Sequence, residues 1–184
     1  MTVNEDVQRM SDALIGEILN ALGLPQTTGW RRLFGLLARR ATDHLSHIGL
    51  TFDRLIEERG LPKAAEWGLT HWCRDILVRG QGNIPTEGPL LVLSNHPGAY
   101  DALVILKHFL RQDVRVIASD LPFIRYLRNT SQHIFFIPIN TKDTYHRMSG
   151  MLSAVRYLKN GGAVILMGSG TIDPDPAIYP GAIA

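Results

Sequence analysis

Residues 90–103 read Leu-Leu-Val-Leu-Ser-Asn-His-Pro-Gly-Ala-Tyr-Asp-Ala-Leu. An apolar run of strand length ends at Ser94, a Pro-Gly turn follows, and an apolar-periodic segment begins at Tyr100. His96 and Asp101 therefore flank a strand-to-helix turn at the carboxyl edge of a sheet, where α/β folds bind ligands. A histidine oriented by a carboxylate in that setting is suited to act as a general base. The competing reading is that Ser94 and Asn95 cap the next helix and His96 is a bystander in the turn.

Spacing alone does not decide between them. With seven His and eleven Asp in the chain, a chance His-x4-Asp match is expected about 0.4 times, so the setting carries the weight. His108 and Asp113 share the spacing and lack the setting. His108 falls within the periodic segment after Tyr100, and Asp113 precedes another strand-like run, Val114–Ala118. We read His108 as an ordinary helix residue.

Working outward, strand and helix patterns alternate from residue 76 onward. Ile76–Val78, Leu90–Leu93, Val114–Ala118, Ile134–Ile139 and Ala163–Met167 read as strands, with helices at 100–111, 121–128 and 143–159 between them. This predicts an α/β fold, a mixed sheet with helical crossovers. Gly161-Gly162 reads as a helix C-cap leading into the last strand. Before residue 76 the periodicity is helical, at about 4–22, 30–58 and 61–75, so the expected organisation is a helical region at 1–75 followed by an α/β domain at 76–184.

In the middle helix Trp30, Leu33, Phe34, Leu37, Ala41, Leu45, Ile48, Phe52 and Leu55 share a face, and Arg31, Arg32, Arg39, Asp43 and Asp53 fall away from it. The expectation is a core face, with Leu37, Leu45 and Phe52 buried. The alternative is a peripheral membrane contact near Trp30, with arginines 31, 32, 39 and 40 facing anionic lipid. His44 and His47 are three apart but lack a third ligand, so no metal is expected.

Composition sets the outer limits. With 45% apolar and 20% charged residues, the chain is globular and long enough for a sizeable core. A net charge of +2 is too small to argue for nucleic acid. The lone Cys73 fits a reducing compartment, and Glu5, Asp6 and Arg9 precede any apolar run, unlike a secretory signal. A cytoplasmic protein, soluble or peripheral on the inner face of the membrane, is expected.

Asn95-His96, four residues, then Asp101 resembles the first block of the glycerolipid acyltransferase family. The lead-in from Val78 to Pro85, and Gly88-Pro-Leu-Leu-Val-Leu-Ser after it, is similar to the family's strand, turn and second strand. His133-Ile-Phe-Phe-Ile-Pro-Ile-Asn resembles the second block, with Asn140 and Thr141 where members usually carry Asp-Arg. Met167-Gly-Ser-Gly-Thr resembles the third block, with Ser169 in place of Glu and with Gly170 and Thr171 matching. Because the family continues beyond this block with more strands, the α/β domain is expected to be incomplete at its C-terminus.

The resemblance implies an acyltransferase that moves a fatty acyl group from an acyl thioester, acyl-CoA or acyl carrier protein, to a hydroxyl of a lipid-type acceptor, with no other cofactor. It implies His96 as general base and Asp101 as its orienting carboxylate. Asn95, Gly98, Ser169, Gly170 and Thr171 are the implied substrate-binding positions, with oxyanion donors around Gly98 or in the Gly168–Thr171 loop. Loss of the usual Arg and Glu argues against a phosphorylated glycerol acceptor, although Lys142, Arg125 and Arg128 are candidate phosphate contacts. The rival readings are a non-catalytic lipid- or thioester-binding relative and a hydrolase using the same His-Asp pair. Asp173-Pro-Asp-Pro has too few ligands for a calcium loop and reads as a rigid exposed segment.

Overall fold

The computed structural model describes residues 3–138, 144–169, 172–174 and 178–179. In chain order the elements are α1 (Val3–Ala21), α2 (Thr28–Arg59), α3 (Leu61–Leu69), β1 (Leu90–Ser94), α4 (Asp101–Leu106), β2 (Val114–Ser119), α5 (Arg128–Gln132), β3 (Ile134–Ile137), α6 (Thr144–Lys159) and β4 (Ala163–Met167), with 3-10 turns at Gln81–Asn83 and Pro122–Tyr126. They form two compact units, Met1–Arg54 with Leu121–Ser131, and Leu55–Asp120 with Gln132–Ala184. No helix among the described residues is long and apolar enough to cross a membrane.

The first unit is helical. Met10 and Leu14 of α1 are buried with Leu127, and Leu50 and Phe123 pack against them. The inward stripe of α2 keeps Ile48 and Leu55 of the apolar face that the sequence predicts and departs from it elsewhere. Thr42, Ser46 and Asp53 are buried, and at Gly49 a side chain would run into Met10. These positions are spaced four, three and four apart, so they lie on one helix face. Ser11 and Thr42 hydroxyls meet at 2.7 Å, and Ser46 donates to the Thr42 carbonyl. Asp53, expected on the outer face, accepts from the Thr130 N–H and hydroxyl, both at 2.7 Å, and from the Asn129 N–H. Its carboxylate thereby satisfies the N–H groups that open α5 and have no partner within that helix. Of the three residues expected inside, Leu37 and Leu45 are exposed and Phe52 is half-buried, because small polar residues take up part of the contact surface.

Among the described residues, the second unit carries a four-stranded sheet in the order β1-β4-β2-β3. Every pair is parallel, a more uniform sheet than the mixed one the sequence suggested, within the α/β class expected. Ile76–Val78 joins no strand; Leu77 is exposed, and Ile76 and Val78 on either side of it are half-buried. On the sheet, Phe135, Ala154 of α6 and Val164 form a buried cluster, with Tyr157 and Leu158 against it. Gly150 lets α6 approach the Phe136 carbonyl more closely than any Cβ would allow. The helix ends as its Gly pair predicts: Gly161 takes φ +91, the Gly162 N–H donates to the Tyr157 carbonyl, and a side chain at Gly162 would strike the Tyr157 ring.

Arg111 ties three strand entrances together. Its guanidinium donates two parallel hydrogen bonds of 2.6 Å to Asp113, just before β2. It also donates to the carbonyls of Gly88 (2.6 Å), ahead of β1, and Gly161 (2.7 Å), ahead of β4. This bidentate pairing holds the Asp113 carboxyl below its ordinary range and the guanidinium more firmly charged. Asp113 is thus committed to Arg111 rather than His108, whose Nε2 is buried without a hydrogen bond among the described residues.

Asp113 is nearly half exposed, so its ion pair is screened and contributes modestly. The two charge-assisted bonds to carbonyls carry more. Replacing Arg111 by Met should lower unfolding free energy by roughly 2–3 kcal/mol at neutral pH, which denaturant melts of both proteins will measure. The Asp113 contribution is complete above the ordinary carboxylate pKa and disappears as pH falls through the lowered folded value, so the difference between the two proteins should narrow only in acid.

Candidate active site

β1 and β4 are neighbours although some 70 residues separate them, and their register places Ser94 opposite Met167. The Gly168 N–H extends the pairing by donating to the Ser94 carbonyl at 3.1 Å. The segments that leave the two strands therefore start side by side. His96 and Ser169, from the first and third sequence blocks, lie in those segments.

In the turn after β1, His96 Nδ1 lies 3.0 Å from Asp101 Oδ2. The same oxygen accepts the Gly98 N–H at 2.8 Å. Asp101 is the first residue of α4, and its side chain folds back over the turn. The helix start at Tyr100 has no side-chain cap, and the Ser94 hydroxyl instead donates to the Asn95 carbonyl. The capping role that competed with catalysis for Ser94 and Asn95 is therefore not realised. With Nδ1–H donating to Asp101, the neutral ring keeps its lone pair on Nε2. The His96 side chain is 26% exposed and that of Asp101 21%, so the ring is reachable while its orienting carboxylate is more covered.

Two groups hold this turn that the sequence reading passed over. Asp173, read as part of a rigid exposed segment, holds the His96 main chain at both its N–H and its carbonyl. Its carboxylate accepts the His96 N–H at 2.5 Å, and its own N–H donates to the His96 carbonyl at 2.7 Å. The His96 N–H and a hydrogen bond from the Ser169 side chain hold the Asp173 carboxyl below its ordinary range. Ser169 therefore has a partner of its own where the family pattern has Glu, and a Glu there would set a second carboxylate against Asp173. The other group is Trp72, whose ring stacks on Tyr100 with centroids 4.3 Å apart and planes 11° apart. It braces the residue immediately before Asp101. The sequence signals for both were weak, since an acid 77 residues away and a Trp beyond a helix end show no local periodicity.

The remaining expected positions divide clearly. Asn95 is exposed beside His96. The Gly98 and Gly168 N–H groups, proposed as oxyanion donors, are engaged by Asp101 and by the Ser94 carbonyl. Their role in this structure is to hold the turn and the strand end. Arg125 and Arg128 are exposed and belong to the helical unit. Asn140, Thr141, Lys142, Gly170 and Thr171 lie outside the described residues. β3, which leads into the second block, forms the sheet edge opposite β1.

A family model described as Acyltransferase matches residues 75–181, more than half of the chain and the whole of the sheet. No curated protein and no solved structure matches.

The grip of Asp173 on His96 is complete above the ordinary carboxylate pKa and is lost as pH falls through the lowered value. In nuclear magnetic resonance spectra, the His96 amide signal should report this titration below the ordinary Asp range. In Ser169→Glu the midpoint should move up, because the donor is lost and a like charge added. An unchanged midpoint would show that Ser169 does not support Asp173.

Proposed function

The chain belongs to the acyltransferase family, whose members transfer acyl groups, and on that premise we propose that it moves a fatty acyl group from a thioester to a hydroxyl with His96 as general base. The observation that supports this reading most is the His96–Asp101 pair, 3.0 Å apart at the carboxyl end of β1. The acyl donor is acyl-CoA or acyl carrier protein, and the acceptor is a lipid-type alcohol.

The reaction proceeds without a covalent enzyme intermediate. Nε2 of His96 removes the acceptor's hydroxyl proton as its oxygen attacks the thioester carbonyl. Asp101 keeps Nδ1 protonated and stabilises the imidazolium that forms. When the tetrahedral intermediate collapses, the carbon–sulfur bond breaks and the imidazolium returns its proton to the departing thiolate. An ester and a free thiol result. Ser169, standing where the family pattern has Glu, favours an acceptor other than glycerol 3-phosphate or its monoacyl ester. Lys142 is the proposed replacement cation for any phosphate on the substrates, and its single ammonium lacks the fork of an arginine.

The test incubates the purified chain with one acyl-CoA and a panel of hydroxyl acceptors. Ester formation that prefers non-phosphorylated acceptors is expected. His96→Ala should lower turnover by on the order of 10²–10⁴-fold and Asp101→Asn should also impair it, whereas His108→Ala should leave it intact. Free fatty acid as the only product would point to a hydrolase, and thioester binding without turnover to a binding protein. Full transfer by His96→Ala would remove the histidine from the mechanism, and a strong preference for lysophosphatidic acid would overturn the acceptor assignment.

A further inference from the structure

Among the described residues, the first half of α2 carries an exposed apolar face. From Thr28 to Thr42 the helix contains four arginines and no Asp or Glu. Trp30 and Leu33 are exposed there, and Leu36 and Leu37 reach 85% and 73% exposure. At 100° per residue, Arg32, Leu36, Arg40, Leu33, Leu37 and Trp30 follow one another around a single side of the helix. The other two arginines are engaged by the chain before α2 and by α1. Arg31 donates to Gln26 Oε1 and to the Asp12 carbonyl, and Arg39 pairs with Asp12 at 2.8 Å and donates to Ser11. Arg32 and Arg40 are exposed on the apolar side. Trp30 is near the helix start, its ring 6.3 Å from that of Phe34.

Leucines this exposed are poorly solvated, and the guanidinium groups beside them select the chemistry of what covers them. A second copy meeting this face through a two-fold axis would bring like charges, Arg32 and Arg40, against each other. An anionic surface with an apolar layer beneath it suits every group: leucines enter the acyl boundary, Trp30 sits at the headgroup level, and the two arginines reach phosphates. We propose that this face of α2 docks the protein peripherally on an anionic lipid bilayer.

The experiment is cosedimentation of the full chain, without substrate, with vesicles of phosphatidylcholine alone and of phosphatidylcholine mixed equally with phosphatidylglycerol. Binding to the mixed vesicles only, weakening with added salt, is expected. Arg32→Gln and Arg40→Gln should each weaken it about fivefold. The double variant Leu36→Asp, Leu37→Asp should lose binding while its thermal melt, followed by circular dichroism, stays like that of the parent, since both leucines are exposed. Equal binding to neutral vesicles, or arginine variants that bind like the parent, would overturn the proposal. So would lipid-free self-association, measured by sedimentation velocity, that the leucine variant abolishes. Because no substrate is present, failure here leaves the acyl-transfer reading standing, and the reverse holds equally.

Discussion

One guanidinium, Arg111, sets the register on which the site depends. Its donors engage Asp113 and the carbonyls of Gly88 and Gly161, which precede three strands adjacent in the sheet. Burying a cation is costly unless its donors are satisfied, and carboxylate and carbonyl oxygens offset that cost here. A slip of one residue between β1 and β4 would also turn every side chain of one strand to the other face. With the entrances fixed, the far ends are fixed as well: Ser94 lies opposite Met167, and the segments beyond them leave side by side.

At that far end His96 is held on ring and main chain at once. Asp101 orients the imidazole and closes the turn through the Gly98 N–H, while Asp173 takes the His96 N–H and returns its own to the His96 carbonyl. Ser169 belongs to this arrangement, because its hydrogen bond supports the Asp173 carboxylate. The departure from the family's third block thus has a local physical consequence. A neutral hydroxyl donates where a Glu would bring charge against charge.

The features legible in the sequence were those determined by neighbouring residues. The apolar run at Leu90–Leu93, the Pro-Gly turn and the resumed periodicity placed His96 and Asp101 correctly relative to one another, and Gly161-Gly162 marked the end of α6. Strand order was not legible: nothing near residue 90 states that β4 lies beside β1, so the Asp173 grip on His96 went unseen. In α2 the error had a different origin. Large apolar residues dominated its periodicity, whereas its buried residues include Thr42, Ser46 and Asp53 beside Ile48, Leu55 and Ile56, and the polar ones are satisfied by hydrogen bonds that periodicity does not register.

The central claim is that Asp101 holds a proton on Nδ1 and leaves Nε2 free to accept one. Nitrogen-15 magnetic resonance of the His96 ring in its neutral form measures this directly. The account predicts the Nδ1–H tautomer in the parent protein and a shift toward a mixture in Asp101→Asn. An Nε2–H tautomer, or a mixture that Asp101→Asn leaves unchanged, would contradict it.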